Sequence, residues 1–145
     1  MIVRPVRPAT AWERMPKVRV LLADDHEPVL ARVRSVLGDE FEIVGEVTNG
    51  RDAVKEVQRL DPDVLVIDIS MPVLDGLQAV SNLQSTCRRT KVVFLTVHED
   101  QDFVAAAFAV GASGYVTKSH LTTDLVPAIR EALEGHTYVS HSIPQ

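Results

Sequence analysis

Val64-Leu65-Val66-Ile67-Asp68 is a short apolar run that ends in an acid, and Ser70-Met71-Pro72 follows it almost at once. Four consecutive apolar residues, three of them β-branched, read as a strand buried on both faces. An aspartate almost never ends such a strand inside a core without a partner. Asp68 is therefore expected either at the open C-terminal mouth of a sheet or beside a compensating cation. A second run, Val18-Arg19-Val20-Leu21-Leu22-Ala23, ends the same way, in Asp24-Asp25. Two strands ending in acids at one edge gather three carboxylates.

Outward from these runs, the chain alternates between two hydrophobic periods. Strands are expected over residues 17–23, 41–47, 64–68, 91–96 and 114–117, and helices over 27–37, 51–60, about 75–85, 101–110 and 124–134. Pro28 suits a first helical turn, Gly38 and Gly135 suit helix ends, and Asp61-Pro62 stops the second helix. Five strand–helix units with short connections imply an α/β domain, a parallel sheet with helices on both faces. In such sheets ligands lie beyond the carboxyl ends of the strands. Asp24-Asp25, Asp68, Thr96 and Lys118 all fall there.

The 145 residues suffice for one domain with a sizeable core. With 15 basic and 20 acidic residues the net charge is −5, and no basic stripe offers a nucleic-acid face. The single cysteine, Cys87, excludes an internal disulfide and a cysteine zinc cluster, and is expected to be a partly buried or surface thiol near a helix end. No apolar stretch approaches the roughly 18 residues that span a membrane. Residues 1–16 carry Arg4, Arg7 and Arg14 among three prolines, without the apolar centre of a signal peptide, and are expected to be a disordered extension. Met15 is a candidate native start. A soluble cytoplasmic domain over 17–140 is expected, with 141–145 as a tail or the start of a linker.

Three clustered carboxylates repel, so a cation must join them or one must be protonated. Oxygen ligands favour Mg²⁺, which keeps several waters and bridges to phosphate oxygens. Thr96 offers a hydroxyl and Lys118 a mobile charge, both suited to a phosphoryl group. Asp68 would then be the nucleophile of an aspartyl-phosphate. Each residue alone has a plainer reading: Asp24-Asp25 as a helix cap pair, Thr96 as a strand residue, Lys118 as a solvated charge, Tyr115 as core.

Together they resemble the receiver domain of two-component response regulators. The carrying motifs are Leu21-Leu22-Ala23-Asp24-Asp25-His26, the segment from Val66 through Asp68 and Pro72 to Gly76, Phe94-Leu95-Thr96, and Gly111-Ala112-Ser113-Gly114-Tyr115-Val116-Thr117-Lys118. The Asp-Asp-His start, the Gly-Ala-Ser-Gly-Tyr segment and Gly135-His136-Thr137-Tyr138-Val139-Ser140 resemble the NarL/FixJ (LuxR-type) subfamily in particular.

The resemblance implies a flavodoxin-like fold with strand order 2-1-3-4-5. It implies that Asp68 accepts phosphate from a sensor histidine kinase or a small phosphodonor. Mg²⁺ would be bound by Asp25, Asp68 and the main-chain carbonyl of Ser70, with Asp24 acting largely through water. Lys118 would pair with the phosphoryl group. Thr96 would move to bond it, and Tyr115 would change rotamer with Thr96, switching the face of the fourth and fifth helices. His98 is expected at the surface or shaping water access to Asp68. Homodimerisation on phosphorylation is a further implication, as is control of transcription through an output domain.

Most such relatives continue into a helix-turn-helix domain, whereas this sequence ends at Gln145, so an isolated or a stand-alone receiver is expected, without DNA binding of its own. Departures from the family pattern are Val97 after Thr96, where a small residue is usual, and Ser119-His120 after Lys118; they bear on rates and switching. The resemblance implies an autocatalytic phosphoacceptor, not an enzyme. Two other readings remain. A haloacid-dehalogenase-type phosphatase also uses a strand-end aspartate, but Ser70 stands where its second aspartate belongs. The other is a receiver acting only by protein interaction or phosphorelay.

Overall fold

The computed structural model describes residues 16–86, 89–141 and 143. Cys87 and the segment preceding Pro16 lie outside the described residues, and with them the expectations placed there.

The chain alternates strand and helix as its hydrophobic periods require: β1 Val18–Ala23, α1 Glu27–Leu37, β2 Phe41–Val47, α2 Gly50–Leu60, β3 Val64–Ile67, α3 Gly76–Gln84, β4 Lys91–Thr96, α4 Gln101–Ala109, β5 Gly114–Thr117, α5 Leu121–Leu133 and β6 Tyr138–Val139. All strand pairings are parallel and the sheet order is β2-β1-β3-β4-β5-β6. The doubly wound order 2-1-3-4-5 is thus present, extended by one strand.

Alternation along the central strands feeds two cores. Val20, Leu22, Val64 and Val66 pack under α1 and α5, while Leu21, Ala23, Leu65 and Ile67 pack under α2, α3 and α4. Because successive side chains point to opposite faces, a strand buried on both sides must be apolar throughout. That is why β3 is buried at every position.

Helix starts follow capping chemistry. The Asn49 side chain accepts from Asp52 N, Asp75 from Gln78 N and Asp100 from Asp102 N, each satisfying an orphan amide of the first turn. Gly76 is tied to a close approach. A β-carbon there would collide with the Asp68 carbonyl oxygen, so the loop from Asp68 can close onto α3 only at glycine.

Two expectations need correction. The last helix begins at Leu121, not Asp124, after a 3₁₀ turn over Lys118–His120. Leu121 is fully buried, four residues before buried Leu125, so its side chain draws one more turn onto the sheet. Pro127 thereby lies inside the helix instead of in its first turn. The second correction is β6, whose two residues are too few for a period to be read.

Candidate functional site

The site is built where the strand ladders run out. Ala23 is registered against Ile67, and one step further Asp68 N donates to Ala23 O at 3.0 Å while Asp24 N donates to Val47 O at 3.0 Å. The backbone thus holds Asp24 and Asp68 as neighbours at the C-terminal ends of β1 and β3. Both are buried, at 4% and 2% exposure. Burying two carboxylates side by side is costly unless a cation joins them.

Lys118, directly after β5, supplies that charge. Its Nζ donates to Asp68 Oδ2 at 2.9 Å and lies 2.9 Å from Asp24 Oδ2. Burial disfavours the ammonium, but the contacts with Asp24 and Asp68 outweigh it, and the Lys118 pKa is raised. Buried Asp24 Oδ2 thus has the Lys118 ammonium as its partner.

Asp25 lies at the rim, its side chain one-third exposed. His26 Nδ1 lies 3.0 Å from Asp24 Oδ1 and 3.2 Å from Asp25 Oδ1. One ligand atom from each of Asp24, Asp25, His26 and Asp68 falls within 4.8 Å of all the others. Three carboxylates thus gather around one ammonium, and the excess of negative charge and the oxygen-rich donor set fit a divalent cation. Glu131 near the end of α5, with Glu134 and His136 just beyond it, forms a second group of similar composition, half-buried at Glu131 and exposed at the other two.

The remaining expected residues surround this cluster. Thr96 closes β4 and is fully buried, with its Oγ1 accepting from His98 N at 3.4 Å. Ser70 N donates to Asp68 Oδ1 at 3.4 Å, a long contact. Tyr115 is fully buried on β5, and its hydroxyl donates to His98 O at 2.8 Å. Burial, with Asp100, Asp68 and Glu99 nearby, raises the Tyr115 pKa.

His98 is less exposed than a surface residue. Its Nε2 shares a 2.8 Å hydrogen bond with Ser70 Oγ, and its ring stacks on Phe103 at 4.1 Å. It therefore ties the loop after β3 to the loop after β4. Val73 and Val97 are solvent-exposed on these same two loops.

Sequence reasoning missed His26 as a member of the cluster and the Ser70–His98 bridge. The first had a signal, a histidine adjoining paired acids; the second joins residues 28 apart and depends on loop geometry.

A family model described as "Response regulator receiver domain" matches residues 20–130. The response regulator UvrY of Escherichia coli is 37% identical over 130 residues, which cover 88% of this chain and 60% of UvrY. The chain thus spans about three-fifths of the length of that relative. Among solved structures, a LuxR-family two-component response regulator from an Aurantimonas species superposes with a TM-score of 0.83 at 30% identity, covering 88% of this chain and 93% of that one. The signal receiver domain of the response regulator NarL from Mycobacterium tuberculosis gives 0.78 at 30% identity, covering 83% and 98%. No described helix is long and apolar enough to cross a membrane.

Proposed function

The chain belongs to the response regulator receiver domains, of the NarL/FixJ (LuxR-type) kind, and from that premise we propose that it is a phosphoacceptor switch whose nucleophile is Asp68. The observation that carries this reading is the shared grip of Lys118 on Asp24 and Asp68 at the mouth of the sheet.

Asp68 Oδ2 is held by Lys118, whereas Oδ1 has only the long contact from the Ser70 amide. Oδ1 is the oxygen free to attack phosphorus, and the donor's leaving group departs with the bonding electron pair. Lys118 then turns from Asp68 to the new phosphoryl oxygens. Asp25, Asp68 and the Ser70 carbonyl would hold Mg²⁺, with Asp24 acting largely through water, and the ion would supply positive charge to the transferring phosphoryl group. The Thr96 hydroxyl gives up its contact with the His98 amide to bond the phosphoryl group, and Tyr115, tethered to His98 O, responds. The affected face is α4, β5 and α5, which serves a homodimer or an output domain.

The donor is a sensor histidine kinase, in the cytoplasm, and the domain is not a turnover enzyme. Protein incubated with labelled acetyl phosphate and Mg²⁺ should incorporate label, and Asp68→Asn should not. Persistent labelling of that variant would refute the nucleophile, and sustained turnover of a simple phosphate ester would point to a phosphatase instead.

A further inference from the structure

We infer that the segment after α5, residues 138–143, is a strap that holds β5 in its resting position and loosens when Asp68 is loaded, an inference that rests on the phosphoacceptor reading of Asp68.

Gly135, with φ at +83°, follows the end of α5 and turns the chain back. The returning segment lies parallel to β5 on its outer edge, with Tyr138 N donating to Ser113 O at 3.0 Å and Ser140 N to Tyr115 O at 2.9 Å. A continuing parallel ladder would close the next rung with a main-chain carbonyl. Here the Oγ of fully buried Ser140 accepts from Thr117 N at 3.1 Å instead. Ile143 N then donates to Ser140 O at 3.1 Å, and this turn seats Ile143, 3% exposed, in the core that holds Tyr115. Val139 packs on that same core, whereas Tyr138 packs into the other one, with α5. The strand itself is only two residues long, so Ser140 and Ile143 are what fasten it.

Both fastenings lie on parts that move in the switch. Thr117 directly precedes Lys118, whose Nζ holds Asp68 Oδ2 at 2.9 Å. Tyr115 is fully buried, and its hydroxyl donates to His98 O, two residues beyond Thr96. A close-packed core leaves no slack around a side chain of this size. When Thr96 and the loop after β4 move, Tyr115 therefore displaces Ile143. When Lys118 turns from Asp68 to the phosphoryl oxygens, the rung at the Thr117 amide is drawn with it. A short element with few fastenings is the kind that opens locally at low cost.

Such coupling is reciprocal. If loading Asp68 loosens the strap, then loosening the strap must favour the loaded site. The strap thus sets how readily the domain is switched, through residues that touch neither the metal ligands nor the nucleophile.

Beryllofluoride with Mg²⁺, a stand-in for the phosphoryl group, tests this. In the parent protein, hydrogen exchange at the Thr117 and Ser140 amides should quicken on loading. Ser140→Ala, which removes only the hydroxyl rung, and Ile143→Ala, which removes the apolar anchor, should each bind beryllofluoride about fivefold tighter or more. If Ile143→Ala disturbs the fold, Ser140→Ala carries the comparison alone. Val57→Ala, at a buried position of α2, controls for general destabilisation and should bind as the parent does. Unchanged or weaker binding in the strap variants, tighter binding shared by Val57→Ala, or exchange that is not quickened on loading would overturn the strap and leave the phosphoacceptor site standing. Absence of binding by the parent would overturn the site itself, and this inference with it.

Discussion

Val73, on the loop between β3 and α3, has φ at +72°, a conformation that a β-branched residue adopts only under strain. It is two-thirds exposed, so packing does not repay the strain at its own position. The tight loop does: Leu74 N donates to Pro72 O at 2.8 Å and Gly76 N to Ile69 O at 2.7 Å, locking the path from Asp68 to α3. Asparagine tolerates positive φ. Val73→Asn is therefore expected to raise unfolding stability by about 1 kcal/mol in urea melts. An unchanged or lower midpoint would show that the loop carries no strain there. Strain of this kind was invisible in the sequence, where Val73 reads as an ordinary residue after proline. Asp24, Asp25, Asp68, Thr96 and Lys118 were legible because each ends or follows an apolar run, a pattern that needs no tertiary information.

At the scale of elements, the added strand β6 changes what β5 can do. Gly114 and Tyr115 are registered against Tyr138 and Val139, Ser140 N donates to Tyr115 O at 2.9 Å, and Thr117 N donates to Ser140 Oγ at 3.1 Å. Ile143 then enters the core beside Tyr115. The segment is a strap across the strand that carries Tyr115 and leads into Lys118. Ile143→Ala should cost about 2 kcal/mol through the cavity it leaves and quicken hydrogen exchange at the Thr117 amide. Stability lost without faster exchange at Thr117 would mean that Ile143 fills space and does not fasten the strap. A two-residue strand offers no periodicity, and the early start of α5 depends on Leu121 finding the same core as Leu125. Both are tertiary effects that override local pattern.

At the scale of the whole molecule, the two edges of the sheet handle their acids in opposite ways. At the N-terminal edge, Asp63 is bound by the Arg19 amide at 2.8 Å and by Arg89 at 2.7 Å, and both guanidinium groups reach the carbonyl of Asp61. At the C-terminal edge, Lys118 pairs with Asp24 and Asp68 while Asp25 stands at the rim beside His26, with the N-terminus of α1 close by. The first edge is closed on itself, and the second is left with carboxylate oxygens to spare. Strand polarity and the alternation of periods made the gathering of acids at the C-terminal edge readable from the sequence, since parallel strands must end together, whereas the pairing of Asp63 with Arg19 and Arg89 was not. The pairing of Lys118 with both Asp24 and Asp68 was not readable, because the reach of its side chain depends on the position of β5 beside β4.

The central claim is that Asp68, held by Lys118 and charge-balanced by a divalent cation, accepts a phosphoryl group. Beryllofluoride, which mimics an acyl phosphate, tests it most directly when its binding is followed by fluorine nuclear magnetic resonance. The parent protein should show bound resonances only when Mg²⁺ is present, and Asp68→Asn should show none under the same conditions. Bound resonances that persist in Asp68→Asn, or that form in the parent without any divalent cation, would contradict the account.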